Sequence, residues 1–366
     1  MAIKDHLRTL FSFSFRLIPF PTETGLKVFG NPDKNSPVFV TANCDLTVRR
    51  VAKYLKHLDC YLLVASSKGI NVWCAACGDT FNARSVISVI KTSRIDRKVR
   101  HRKLILPQLA APGVNLKRVE KETGWHCEFG PVYARDIPDY LNNGFKKTET
   151  MRRVTFGLKD RLDVGFGCSL IGYLLAGMLL LILQMVSGIS WFPEFNLIFW
   201  PLLFLMYGLY PCTPGQSGWQ KILSWLVLFA VGLTAYLIVS WGNTSTDILG
   251  LFIGAMVVSM FIGLDFGGIA PTTKSDLDPL IARLGFSNWG NALQFENTRI
   301  RLILGKESIN LDSSECIGCG ICRDICPVGV YSMDHQLKKS VMNCPSKCTA
   351  CTACIAQCPT GAISLV

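Results

Sequence analysis

Charge is nearly missing from one long stretch of this chain. Between residues 164 and 264 only Glu194, Lys221 and Asp247 carry it. Over all 366 residues charged side chains make up 17% and hydrophobic ones 49%. That balance excludes an ordinary water-soluble protein and asks for membrane segments. Also missing is any G-x-G-x-x-G turn after a strand, which leaves a nicotinamide or flavin dinucleotide site without support. No nucleic-acid motif accompanies the formal charge of +12, so nucleic acid is not an expected partner. In a protein with membrane spans the excess of Lys and Arg reads as cytoplasmic loops. No signal sequence is expected at the start, because the apolar run Phe11–Phe20 is interrupted by Arg16 and ends at Pro21.

Three regions separate by composition: a mixed, globular-looking 1–163, the charge-poor 164–264, and a polar 265–366 that ends in a cysteine-rich module. The middle predicts four spans, near 164–188, 196–210, 222–241 and 248–264; the second is short and contains Pro201. Four such stretches in a row are not explained by a buried core helix. Arg152, Arg153, Lys159 and Arg161 precede the first span, Lys221 separates the second from the third, and Lys274 and Arg283 follow the fourth. The loops around Glu194 and Asn243 hold no Lys or Arg. The expectation is a multi-pass protein of the cytoplasmic membrane, in contact with its lipids, with both termini in the cytoplasm.

The first region alternates strand and helix patterns. Strands are expected at Pro37–Ala42, Tyr61–Ala65 and Lys103–Leu106, and helices at Leu46–Leu55, around 71–90 with interruptions, and at Ile137–Leu141. Such alternation implies a small α/β sheet domain.

Nine of the sixteen cysteines fall between Cys316 and Cys358. Cys316, Cys319, Cys322 and Cys326 form C-x-x-C-x-x-C-x-x-x-C before Pro327, and Cys348, Cys351, Cys354 and Cys358 repeat it before Pro359. This is the run of the two-cluster bacterial ferredoxins, in which the fourth cysteine of each run serves the other cluster. One 4Fe-4S cluster is therefore assigned to Cys316, Cys319, Cys322 and Cys358, the other to Cys348, Cys351, Cys354 and Cys326. Three thiolates on one tight loop cap three corners of a cubane, and the fourth corner needs a ligand from elsewhere. A zinc ribbon uses four ligands in two pairs, which fits two full runs poorly. The module, residues 306–366, is expected to be α+β and to carry single electrons, behind a linker of 265–305. Cys344 is left over, as a structural thiol or as an open thiolate for a soft metal ion.

In the first region Gly69-Ile70-Asn71-Val72-Trp73-Cys74-Ala75-Ala76-Cys77-Gly78 stands out. Asn71 suits an N-cap for a helix beginning at Val72, which puts Cys74 at the third helical position. A thiol there feels the positive end of the helix and loses its proton more readily. Cys74 and Cys77 lie three residues apart, near one face. From the residues alone two readings stay open: a metal-ligating thiolate, or a buried structural cysteine behind Trp73.

The segment Ile70–Ala76 resembles the cap-helix signature of the mercury-methylating corrinoid protein family, HgcA. Gly30–Asp33 with Ser36–Asn43, His101–Leu109 with Ala111–Val114, and Gly130–Val132 with Arg135–Pro138 resemble further parts of it. The C-terminal module resembles the partner ferredoxin, HgcB, so the chain looks like the two joined through a membrane domain. The resemblance implies a Rossmann-like domain that binds a cobalamin-type corrinoid, with Cys74 as lower axial ligand to cobalt. The D-x-H-x-x-G motif of histidine-ligated corrinoid proteins does not occur here. Departures are Cys77-Gly78-Asp79 where the family has Gly-Lys-Gly, and the lack of cysteines after Cys358.

The implied activity is that of a corrinoid-dependent methyltransferase. Clusters reduce cobalt, a pterin- or folate-type carrier or a methyl-corrinoid protein gives methyl, a low-potential donor supplies electrons, and Hg(II) is the implied acceptor. Asn71, Val72, Trp73, Cys74 and Ala75 are the expected cofactor contacts, joined by Thr41, Asn43 and His101; Cys77 and Cys344 are candidate soft-metal thiols. Two alternatives are a corrinoid methyl carrier of one-carbon metabolism, like that of acetyl-CoA synthesis, and a membrane electron-transfer ferredoxin without corrinoid.

Overall fold

The computed structural model describes residues 2–14, 18–155, 157–188, 192–214, 218–239, 246–267, 309–334, 336–349 and 351–365. The expected 265–305 linker lies outside them apart from its first three residues, as do Lys274, Arg283 and Asn243. The chain opens with helix α1 (Ala2–Ser14). An α/β run follows: β1 (Gly25–Phe29), β2 (Val38–Ala42), α2 (Asp45–Leu55), β3 (Cys60–Ala65), α3 (Val72–Cys77), α4 (Ala83–Ser93), β4 (Lys103–Leu106), α5 (Leu116–Thr123), β5 (His126–Phe129) and α6 (Ile137–Asn142). Four long helices come next, α7 (Leu158–Ser187), α8 (Phe192–Gly208), α9 (Gly218–Val239) and α10 (Thr246–Gly267). The last elements are β6 (Ile309–Leu311), α11 (Ile321–Ile325), β7 (Tyr331–Asp334), β8 (Lys339–Met342), α12 (Ala353–Gln357) and β9 (Ile363–Leu365). They pack as two compact units, 1–18 with 155–272 and 19–154 with 273–366.

In the second unit the sheet order is β1-β3-β2-β4-β5, with β1 antiparallel to β3 and the rest parallel. Every residue of β2 and β3 is buried, as in a parallel sheet covered on both faces. The side chains alternate accordingly. Val38, Val40, Leu63 and Leu104 face the core shared with α3, α4 and α5. Phe39, Leu62, Val64 and Ile105 face the one shared with α2 and α6. Because β3 and β4 flank β2, the carboxyl ends of β2 and β4 form the switch point where such sheets hold ligands.

The C-terminal module pairs β6 with β9 and β7 with β8, both antiparallel. Its two short helices, α11 and α12, lie against the α/β core.

The first unit is helical. Its core gathers Phe199, Leu203, Met206 and Tyr207 of α8 with Ile222, Trp225, Val258 and Ile262. A methyl at Gly165 would stand 2.6 Å from the Tyr207 ring, so the glycine lets α7 and α8 approach closely. Arg161 donates to the carbonyls of Tyr207 and Gly208 at 3.0 and 3.1 Å, and Lys221 to those of Tyr210 and Thr213 at 2.8 and 2.7 Å. Arg161 satisfies carbonyls left open where α8 ends, and Lys221 those of the turn that follows.

Four spans are expected from the sequence. Among the described residues two helical segments are long and apolar enough to cross a membrane by length and composition, Leu158–Ser187 and Lys221–Val239. Helix α8 runs 17 residues with Pro201 inside, about 26 Å at 1.5 Å per residue, short of a hydrocarbon layer of about 30 Å. In α10 the described apolar stretch is Gly250–Met260. Only 17% and 11% of the most apolar windows of the two long segments are buried, unlike core helices of a soluble protein.

Candidate cluster sites and the cap helix

The cysteine runs fold into two separate cavities. One is lined by Cys316, Cys319, Cys322 and Cys358, the other by Cys326, Cys348, Cys351 and Cys354. Each therefore draws three thiols from one run and the fourth from the other. Among the described residues no three His, Cys, Asp or Glu side chains stand close enough to hold a single metal ion. Four thiols around one cavity, three from one run and the fourth from the other, fit the ligand pattern of a two-cluster ferredoxin. None of the sixteen cysteines is in a disulfide.

Burial pushes the Cys351 and Cys354 thiols up to about 12 each, and raises Cys322. At Cys358 burial also acts upward, but the Thr360 hydroxyl and neighbouring backbone N–H groups outweigh it and the thiol falls below its ordinary value. Iron must displace protons from the buried thiols, so cluster binding and proton release are coupled here. Tyr331 donates its hydroxyl to Cys354 Sγ at 3.4 Å, and the Val330 N–H points at Cys326 Sγ at 3.4 Å. On the other site Ser340 Oγ lies 3.0 Å from Cys322 Sγ. Cys344, half-buried, leads into the turn Pro345–Lys347, and its N–H donates to Val330 O.

Helix α3 begins where Asn71 caps it, its Oδ1 accepting from the Cys74 N–H at 3.1 Å. Val72, Ala75 and Ala76 are buried, while Cys74 is exposed and Cys77 half-buried. The reading of Cys74 as a buried structural thiol therefore fails. The helix packs on the 3-10 turn Gln108–Ala110 that follows β4, at the switch point of the sheet. Gly113 makes that packing possible: a methyl there would sit 2.5 Å from the carbonyl oxygens of both Ala76 and Phe81.

Other residues singled out in the sequence fall in different places. Asn43 is buried beneath the loop that leads to α3. Its Oδ1 accepts from Ser67 N, Ser67 Oγ and Gly69 N at 2.8, 3.1 and 3.1 Å, and its Nδ2 donates to Thr22 O. Thr41 is buried on β2, on the Phe39 face, turned from α3 by the alternation of the strand. His101 precedes β4, at the end of the sheet opposite α3. There Nε2 donates to Ser36 O at 2.9 Å and Nδ1 accepts from Lys103 N. The structure thus brings together Asn71–Ala75, places Asn43 below them, and separates Thr41 and His101 from them. Cys60 and Cys127 are buried thiols pushed up to about 12 by that burial.

Residues 15–141 match the family model of the CO dehydrogenase/acetyl-CoA synthase delta subunit, and residues 309–362 that of the 4Fe-4S dicluster domain. Among curated proteins the chain is similar to the acetyl-CoA decarbonylase/synthase complex subunit gamma of Methanothermobacter thermautotrophicus. They are 38% identical over 126 residues, 34% of this chain and 27% of the relative. The corrinoid/iron-sulfur protein large subunit of Moorella thermoacetica is 32% identical over 141 residues, 37% of this chain and 31% of the relative. The chain spans between a quarter and a third of the length of these relatives. The chain thus joins a stretch similar to part of a corrinoid/iron-sulfur protein large subunit to a stretch that matches the 4Fe-4S dicluster domain.

Proposed function

We propose that this chain is a membrane-anchored corrinoid iron–sulfur methyltransferase, its α/β domain holding the corrinoid and its ferredoxin module keeping it reduced. The carrying observation is the union in one chain of a domain similar to a corrinoid/iron-sulfur large subunit with two four-cysteine cavities. When bound, the clusters supply single low-potential electrons and the corrinoid supplies a cobalt atom that carries methyl.

Cys316, Cys319, Cys322 and Cys358 hold one cluster, and Cys326, Cys348, Cys351 and Cys354 the other. Cys74, exposed at the start of α3, would hold the cobalt of the corrinoid through its thiolate. Asn71 fixes the first turn of that helix, Val72 and Ala75 anchor it in the core, and Asn43 positions the loop before it. Cys77 is a second thiol nearby for a soft metal ion. The apolar helices α7 to α10 anchor the chain in the cytoplasmic membrane.

The Methanothermobacter relative favours a methyl carrier of one-carbon metabolism, since its name places it in an acetyl-CoA decarbonylase/synthase complex. The exposed thiol at the head of α3 favours a second reading, because a thiolate ligand donates electron density and suits a soft acceptor such as Hg(II). Loading the full-length protein anaerobically with iron, sulfide and hydroxocobalamin should give about eight iron atoms and about one cobalt per chain. Cys74→Ala should keep the iron and lose the cobalt–sulfur distance in X-ray absorption. Retained iron with no cobalt in the native chain sinks the corrinoid assignment; bound cobalt without a sulfur neighbour sinks Cys74. Methylmercury formation by loaded protein separates the two acceptors.

A further inference from the structure

The ferredoxin module sits on the α/β domain through a built interface. Ile325 of α11 and Ala353 of α12 are buried in the same apolar core as Val72, Ala75 and Ala76 of α3. Polar side chains then grip backbone across the seam. Gln108 Nε2 donates to Ile325 O at 3.1 Å, and Gln357 Nε2 donates to Ala111 O and Val114 O at 2.8 Å each. Lys147, its side chain 5% exposed, meets Asp324 Oδ2 at 2.8 Å, and Arg152 Nε meets Asp324 Oδ1 at 2.8 Å. Segment 108–114 is thus held between the cap helix on one side and the ferredoxin helices on the other.

The two cluster sites do not share this interface equally. Cys351 packs against the α/β core, whereas Cys319, its equivalent in the first run, is exposed. Arg153 donates to the Cys326 carbonyl at 3.1 Å, and the Val154 N–H donates to Pro327 O at 2.8 Å. Tyr331 and Val330 hydrogen-bond the ligand sulfurs of this site, as the Ser340 hydroxyl approaches Cys322 at the other, so burial against the α/β core is what sets the two sites apart.

We propose that the interface fixes the order of electron passage: the site containing Cys319 receives, and the docked site containing Cys351 delivers to the α/β domain. The identity of the final acceptor, the corrinoid, rests on the function proposed above. A donor of the low-potential one-electron carrier class is oxidised at the exposed site. The same electron then crosses to the docked site and reduces cobalt by one unit, so each station returns to its starting state.

Full-length protein loaded with iron and sulfide tests this without corrinoid. Tyr331→Phe removes a hydrogen bond to one site alone and should lower the potential of one cluster in an EPR-monitored titration, which labels the docked one. An added dysprosium chelate should speed the EPR relaxation of the other cluster several-fold and spare the labelled one. Asp324→Lys, which sets three cations together, should make both clusters respond; if that variant does not accumulate, Gln357→Ala should do so in part. The proposal is overturned if the Tyr331-sensitive cluster is the chelate-accessible one, or if neither interface variant changes accessibility. Failure to bind cobalt would sink the corrinoid reading and leave the docking order standing.

Discussion

Cys319 and Cys351 hold the same place in two runs offset by 32 residues, yet one faces solvent and the other packs on the α/β core. The helices that follow them both reach the seam, by different means. Ile325 buries its side chain in that core, while Gln357, its counterpart, donates two hydrogen bonds across the seam. Gly320 and Thr352 both adopt left-handed backbone, at φ +73° and +58°. The ligand spacing, which the cubane dictates, is kept in both halves. The sequence between the ligands is where the halves differ: both helices enter the dock, through Ile325 and Ala353, while the ligand loop is covered at Cys351 and left open at Cys319.

Removing one ligand from each run tests that contrast most severely. Cys319→Ala and Cys351→Ala should each lose one cluster, about four of about eight iron atoms. Only Cys351→Ala should also loosen the seam, seen as faster amide exchange over residues 108–114. Equal exchange in the two variants would break the comparison.

The clasp at Asp324 comes next in size. Breaking a buried ion pair from one side costs about 3–5 kcal/mol, because the other charge is left unpaired. Asp324 is 41% exposed in its side chain, so about 2 kcal/mol is expected of Asp324→Ala, or about 30-fold faster opening of the seam. Lys147→Met in the same background should recover part of the loss, since it removes the stranded cation. The pH dependence has a definite sign. Burial raises the Asp324 carboxyl, but Lys147 and Arg152 outweigh it and hold the group below its ordinary value. A carboxyl depressed in the folded state stabilises above its unfolded pKa, about 3.9, and loses that contribution as pH falls through the folded value. Exchange protection at the seam should therefore be flat near neutral pH and fall only in acid.

Much of this molecule is legible in its sequence. Cysteine spacing groups the ligands into two fours, because a cubane fixes which loop lengths work. The Asn71 cap and the position of Cys74 follow from local helix chemistry. The edge strand β1 escapes notice because its residues are mostly half-exposed and lack a buried run. Strand β5 escapes because His126 and Glu128 break it up, where β4, of the same length, has the apolar run Leu104–Leu106. His101 looks like a partner of the cap helix only while the ends of the sheet are unassigned; its bond to Ser36 O puts it at the far edge. The seam has no sequence signature, since Gln357 meets Ala111 across 246 residues and no local pattern encodes such a pair.

The smallest effect expected concerns Thr352. A β-branched residue in left-handed backbone costs about 1–2 kcal/mol, and glycine there loses about 0.5–1 kcal/mol of that gain to its own flexibility when unfolded. Thr352→Gly should thus stabilise the cluster-loaded module by about 0.5–1 kcal/mol, read as slower cluster loss to a chelator. Gly320→Thr should act in the opposite direction by a similar amount. Space is not the issue at Gly320, where an added methyl would find only Met333 Sδ at 3.8 Å, an ordinary contact. If Thr352→Gly instead destabilised, the threonine side chain would have to contribute a contact at the docked site that outweighs its backbone strain. The contrast between the halves would then extend to the turn itself.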